Sequence, residues 1–162
     1  PAKEQLLVLG AEIATTILSE GRTSYMVRQL REELQIVESI EMDLHILEKG
    51  GLVLLEVCCP VENISKVENE INEILLQSIE HVMSDLDLER AKKLVQNHIY
   101  YGTELSSQIA SVLGCQALWG RHQPLLEPIQ NIPYWTVNRL HKIIFPLLHP
   151  KNCFTLIAEP KI

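Results

Sequence analysis

Ser19-Glu-Gly-Arg-Thr-Ser-Tyr-Met-Val-Arg-Gln-Leu-Arg-Glu-Glu33, followed by Ile36-Val-Glu-Ser-Ile-Glu-Met-Asp-Leu-His-Ile46, is the stretch whose reading decides the fold. Gly21 stands where an upstream helix must stop, because glycine tolerates the left-handed conformation that closes a helix C-terminus. Thr23 or Ser24 is placed to cap a second helix running to Glu33, with Met26, Val27 and Leu30 on its buried side. The period then switches to two. Ile36, Ile40, Met42, Leu44 and Ile46 share one face, whereas Glu41, Asp43 and His45 share the other, which is the pattern of a half-buried strand.

Outward from this stretch, residues 2–18 carry Leu6, Leu9, Ile13 and Ile17 at spacings of three and four, an amphipathic helix. Downstream, Lys49-Gly50-Gly51 reads as a hairpin turn into a second strand over residues 52–59. Pro60 opens a helix with the stripe Val61, Ile64, Val67, Ile71, Ile74 and Leu75. Ser84 and Asp87 form a capping-box pattern ahead of a long helix carrying Leu88, Ala91, Leu94, Val95, His98 and Ile99. Gly102 interrupts that helix before Ile109, Ala110, Leu113 and Ala117 resume it, and Gly114 suggests a close helix contact. Pro124, Pro128 and Pro133 mark a loop with one short helix, and Thr136 caps a helix over residues 137–145. Phe154-Thr-Leu-Ile-Ala158 reads as a closing strand that ends at Pro160. Hairpin-linked strands followed by a block of helices imply an α+β, two-layer fold, with a mainly antiparallel sheet and helices packed on one face. Three strands make a thin sheet, so a further strand is expected ahead of Pro1.

Composition bounds the function. The 162 residues suit a single domain over 1–162, large enough to bury a core without staples. A formal charge of −7 with no lysine-arginine stripe argues against a nucleic-acid partner. The longest apolar run, around residues 51–55, is too short to cross a bilayer. Cys58, Cys59, Cys115 and Cys153 lack metal-type spacing and read as reduced core thiols, which points to the cytoplasm or another reducing compartment. The start at Pro1 reads as a fragment of a longer chain.

Catalytic constellations are missing from the pattern. His45-Ile-Leu-Glu48 matches half of the His-x-x-Glu-His zinc motif, but Lys49 stands where the second imidazole is required. The six histidines never recur at spacings of three or four. No Gly-x-Ser-x-Gly elbow and no lysine-bearing phosphate loop is present. Arg31, at the end of the second helix, complements the helix dipole and can also project past the helix toward the sheet edge.

Four segments carry a family resemblance. Leu18 to Glu33 resembles the opening of the C-terminal half-domain in the pitrilysin, or insulinase, family of zinc metallopeptidases, which includes the mitochondrial processing peptidase. Leu86-Asp-Leu-Glu-Arg-Ala-Lys92 resembles the start of that family's long helix. Ser106-Ser-Gln-Ile-Ala-Ser-Val-Leu-Gly114 resembles the stretch after it, and Pro150-Lys-Asn-Cys-Phe-Thr-Leu-Ile-Ala158 the approach to the last strand. The resemblance implies a clam-like enzyme in which an N-terminal domain holds zinc and a C-terminal-type domain closes over the peptide. It implies no cofactor in this chain, with zinc in a partner or upstream domain, and a zinc-binding domain, a homologous subunit and a peptide as partners. It also implies that an arginine after the helix and a tyrosine seven residues on contact the substrate. Arg31 matches the arginine, whereas Glu38 occupies the tyrosine position. A carboxylate cannot donate to a developing oxyanion, and Glu38 shares parity with Ile36 and Ile40, so an Arg31–Glu38 ion pair is expected. The segment Ser24-Tyr25-Met26 departs from the family's serine-arginine-leucine. The reading is a non-catalytic C-terminal domain that shapes a peptide-binding chamber and a subunit contact; the alternative is an architectural subunit of the same fold.

Overall fold

Alternating side chains make the hairpin. In the computed structural model, which describes residues 2–159, β1 (Ser39–Ile46) pairs antiparallel with β2 (Gly51–Cys58), Ser39 opposite Cys58 and Ile46 opposite Gly51. Ile40, Met42, Leu44 and Ile46 face the helices together with Val53, Leu55 and Val57, while Glu41, Asp43, His45, Leu52, Leu54 and Glu56 face water. The helices therefore form one layer and the hairpin the other, as the sequence pattern requires.

Helix α1 (Gln5–Ser19) is the central element of the helical layer. Leu9, Ile13, Ala14, Ile17 and Leu18 are at most 3% exposed, and α1 touches β1 as well as three of the later helices. At Gly10 it meets Trp135, itself buried. A Cβ placed on Gly10 would stand 2.3 Å from Cζ2 of that indole, so only glycine lets the ring lie flat on the helix backbone. Trp135 meets Tyr134 edge to face at 5.4 Å.

The second helix, α2 (Val27–Glu33), is wound as a π-helix. The Leu34 amide donates to the Gln29 carbonyl and the Ile36 amide to Leu30; Gln35 then takes a φ of 53° and turns the chain toward the sheet. Met26, Val27 and Leu30 are buried, as expected. Ser24 does not cap this helix. It is fully buried, and its hydroxyl donates back to the Gly21 carbonyl at 2.7 Å, closing the turn instead.

Further on, α3 (Ile64–Glu80) buries Val67, Ile74, Leu75 and Ser78 after a short 3-10 turn at Val61–Asn63. The Ser84 hydroxyl accepts from the Asp87 amide at 3.1 Å to start α4 (Asp85–Tyr101). Then come α5 (Ser106–Leu118), α6 (Glu127–Asn131) and α7 over residues 137–148, capped by Thr136.

Four further sequence expectations need correction. Residues 153–159 join no ladder, and Phe154 and Leu156 are 90% and 83% exposed; among the described residues the sheet has only two strands. A short apolar run is strand-like only if an edge lies within its reach, which sequence cannot show. The expected end of this strand at Pro160 falls outside the described residues. Gly114 has open space over it, and Ala110 and Ala117 are exposed, because α5 projects from the helical layer instead of packing into it. The cysteines are unpaired, yet Cys58, Cys115 and Cys153 are exposed and Cys59 is half-buried, so they are not core thiols. Finally, Ile36 and Val37 are both buried and the strand begins only at Ser39, so parity cannot be carried back to Glu38.

The two glycines make opposite predictions. Gly10→Ala forces the Trp135 ring off the helix and lowers stability by about 1–3 kcal/mol. Gly114→Ala, on an exposed helix interior, raises it by up to about 1 kcal/mol. Urea unfolding of both variants checks this, and a neutral Gly10→Ala contradicts the packing described.

Candidate functional site

Among the described residues β1 is paired on one side only. The Leu47 amide closes the hairpin onto the Gly50 carbonyl at 2.9 Å. By the alternation of an antiparallel ladder, residues 41, 43 and 45 then bond to β2, while the backbone groups of Ile40 and Met42 point to the open edge. A groove of about 460 Å³ follows this edge, and no β2 residue lines it. Residues 40–43 form one wall. Thr15, Thr16 and Ser19 of α1 form the other, and Arg22, Val27 and Arg31 form one end, with His98 of α4 also on the lining.

Charge at the arginine end is organised by a single carboxylate. Glu32 accepts from Arg22 Nη2 at 2.9 Å through Oε2, and from Arg31 Nη2 at 2.9 Å and Nε at 3.2 Å through Oε1. These bonds, Arg22's first, hold the Glu32 carboxyl below the usual carboxylate range. Two guanidiniums against one carboxylate leave the end cationic, and Arg31 keeps donors free for a ligand. Across from it, His98 Nε2 meets Glu20 Oε1 at 3.1 Å. Glu12 lies close by, its pKa raised chiefly by burial and lowered in part by His98.

Long-range bonds set the position of the groove's end. Gly21 takes a φ of 82° to leave α1. Arg90 Nη1 donates to the Glu20 carbonyl at 2.7 Å, tying the end of α1 to α4. The Tyr25 hydroxyl donates to Asp87 Oδ2 at 2.8 Å, an oxygen that also accepts from the Ser84 hydroxyl at 2.6 Å. The cap of α4 thereby anchors the start of the helix that carries Arg31.

Of the two sequence-predicted site residues, only Arg31 reaches this groove. Glu38 is exposed and outside it, its carboxylate accepting from Cys58 Sγ at 3.6 Å, and the expected Arg31–Glu38 pair is replaced by Arg31–Glu32. The physical reason is the turn at Gln35 together with the late start of β1, which swing Glu38 away from the helix end. Arg22, Glu32, His98 and Glu20 were not read from sequence as site residues. Arg22 and Glu32 are ten positions apart across a turn, a spacing that carries no pairing signal. His45, of the half zinc motif, is on the solvent face of β1 and Glu48 is in the hairpin loop. Among the described residues no three histidine, cysteine or acidic side chains converge as metal ligands. Among the described residues no helix is long and apolar enough to cross a membrane.

Comparison with known proteins places these features in context. A family model described as the peptidase M16 inactive domain matches residues 5–95. No curated protein sequence matches the chain. Among solved structures, a candidate zinc protease from Bordetella pertussis Tohama I superposes with a TM-score of 0.79 at 15% identity, over 94% of this chain and 84% of that one. A peptidase M16 inactive domain from Pseudomonas fluorescens gives 0.76 at 13% identity, covering 86% of this chain and 34% of that one. A protease from Helicobacter pylori gives 0.74 at 17%, covering 87% and 34%. The chain thus spans about a third of the latter two.

The Tyr25–Asp87 anchor predicts a pH response. Burial, followed by the hydrogen bond to Asp87, raises the Tyr25 pKa to about 12. A raised acid pKa contributes stability that is full below the ordinary value of 10 and is lost as pH climbs through about 12. Difference absorbance of phenolate should show Tyr25 as the tyrosine missing from a titration in Tyr25→Phe, with its midpoint near the upper value. A midpoint at the ordinary value would show that the anchor is not formed.

Proposed function

Since this chain belongs to the peptidase M16 family as one of its inactive, non-catalytic domains, we propose that it forms one wall of a peptide-enclosing chamber whose zinc is held by another domain or a homologous subunit. The supporting observation is the Arg31-lined groove along the open edge of β1. Among the described residues the backbone groups of Ile40 and Met42 on that edge have no strand partner, and an extended peptide can add to them, a recognition mode that needs no particular peptide sequence. Arg31, already oriented by Glu32, is placed to donate to a peptide carbonyl, a charge-assisted bond.

The domain's contribution is positional. Glu38 stands where the family resemblance implies a tyrosine, and an ionised carboxylate offers no proton to an oxyanion. Cleavage would then depend entirely on the domain bearing the His-x-x-Glu-His motif, with which this chain would make its subunit contact. Four unpaired cysteines suit a reducing compartment such as the cytoplasm. A second reading, an architectural subunit with no part in proteolysis, draws on the same Glu38, since the substituted position removes one substrate contact.

Arg31→Ala separates the two. In the parent peptidase assembled with its histidine-bearing domain, losing a charge-assisted bond of about 1.5–3 kcal/mol lowers kcat/KM roughly ten- to hundredfold. Fluorogenic-peptide hydrolysis measures this, with chelator as the control for metal dependence. An unchanged kcat/KM favours the architectural reading.

A further inference from the structure

Arg90 is held with its best binding edge empty. Its Nη1 donates to the Glu20 carbonyl at 2.7 Å, but Nε and Nη2, the parallel donors that grip a carboxylate bidentately, are shut off from solvent and have no acceptor among the described residues. A desolvated guanidinium edge without a partner costs stability, and buried donors are otherwise nearly always paired. Because bulk water does not reach these two atoms, no dissolved ligand fills the fork while the chain keeps this arrangement. The acceptor must come from the protein. Asp87 is three residues earlier on α4, a spacing at which an aspartate and an arginine on one helix are neighbours.

Asp87 is engaged elsewhere, but through one oxygen. Among the described residues the two hydroxyls that donate to its side chain, those of Tyr25 and Ser84, both reach Oδ2. Arg90 is near enough to Tyr25 to offset part of the pKa rise caused first by burial and then by Asp87. Arg28 Cζ stands 5.5 Å from the centroid of the Tyr25 ring, a cation–π contact that needs no Asp87. We propose that Asp87 is a two-position latch: in one position it holds Tyr25 and fixes the turn into α2, and in the other it fills the Arg90 fork and sets Tyr25 free. A hydroxyl bond is exchanged for a bidentate ion pair, so the two positions can lie close in free energy. Since α2 carries Arg31, the latch regulates the cationic end of the groove. It depends on the contact of α4 with α1 and the turn after it, and stands whether or not a peptide binds there.

Amide hydrogen exchange in the turn tests the latch. The Ser24 amide donates to the Gly21 carbonyl at 3.1 Å and the Arg28 amide to the Ser24 carbonyl at 2.9 Å, and both bonds report its opening. Arg90→Lys keeps the charge and a donor for Glu20 but has no fork. It should slow exchange at Ser24 and Arg28 roughly tenfold, because the released position loses a charge-assisted pair, whereas Tyr25→Phe should speed exchange by a similar factor. An arginine that served only to cap α1 would give the opposite sign for Arg90→Lys. Unchanged or faster exchange in Arg90→Lys, or no gain in Tyr25→Phe, therefore overturns the proposal. A crystal structure of Tyr25→Phe answers independently of how Arg90→Lys folds. The Asp87 carboxylate is expected about 3 Å from Nε and Nη2 of Arg90, and a carboxylate left on Ser84 with the fork unfilled contradicts the latch.

Discussion

The contact between the Gly10 backbone and the Trp135 indole is the constraint from which the remaining architecture follows. α1 touches the hairpin on one side and the later helices on the other, and it can do so only because one position on its face has no side chain. With the indole seated there, Thr136 can cap α7 and bury Leu140, Ile144 and Phe145 against the same core. That packing holds the C-terminal end of α1 under β1, which is where the groove opens. Close-packed interiors transmit such constraints because they have few voids into which to relax.

The site inherits its precision from a different set of forces. Its end is not held by hydrophobic burial: Arg22 and Arg31 are 79% and 40% exposed at their side chains. Order comes instead from a chain of hydrogen bonds that begins at the cap of α4, passes through Asp87 to Tyr25, and reaches Arg31 along a short helix of π pitch. Glu32 then fixes both guanidiniums. Surface ion pairs of this kind add little stability, but they limit the orientations available to Arg31 before any ligand arrives, which reduces the ordering cost of binding.

Much of the fold was legible in the chain because local pattern and tertiary role agree. The period-two run after Ile36, the Gly50-Gly51 turn and the Ser84 cap each specify an element independently of their neighbours. Legibility failed where the outcome depends on distant surfaces. Phe154 to Ala158 has strand composition but no edge to pair with among the described residues, and the stripe on α5 has helical spacing but no partner. Glu38 shows a subtler failure, since parity is meaningful only inside a strand and the strand begins one residue later. Arg31 was readable from its place at a helix end. Its partner Glu32 was not, because adjacent residues point apart on an ordinary α-helix and meet around this guanidinium only through side-chain length and the local winding.

Amide hydrogen exchange along β1 tests most directly the claim that an extended peptide occupies the open edge. On adding a saturating extended peptide, the amides of Ile40 and Met42 should become protected, while those of Glu41 and Asp43, already bonded to β2, should change little. Uniform protection of residues 40–43, or protection confined to other elements, would contradict strand addition at this edge.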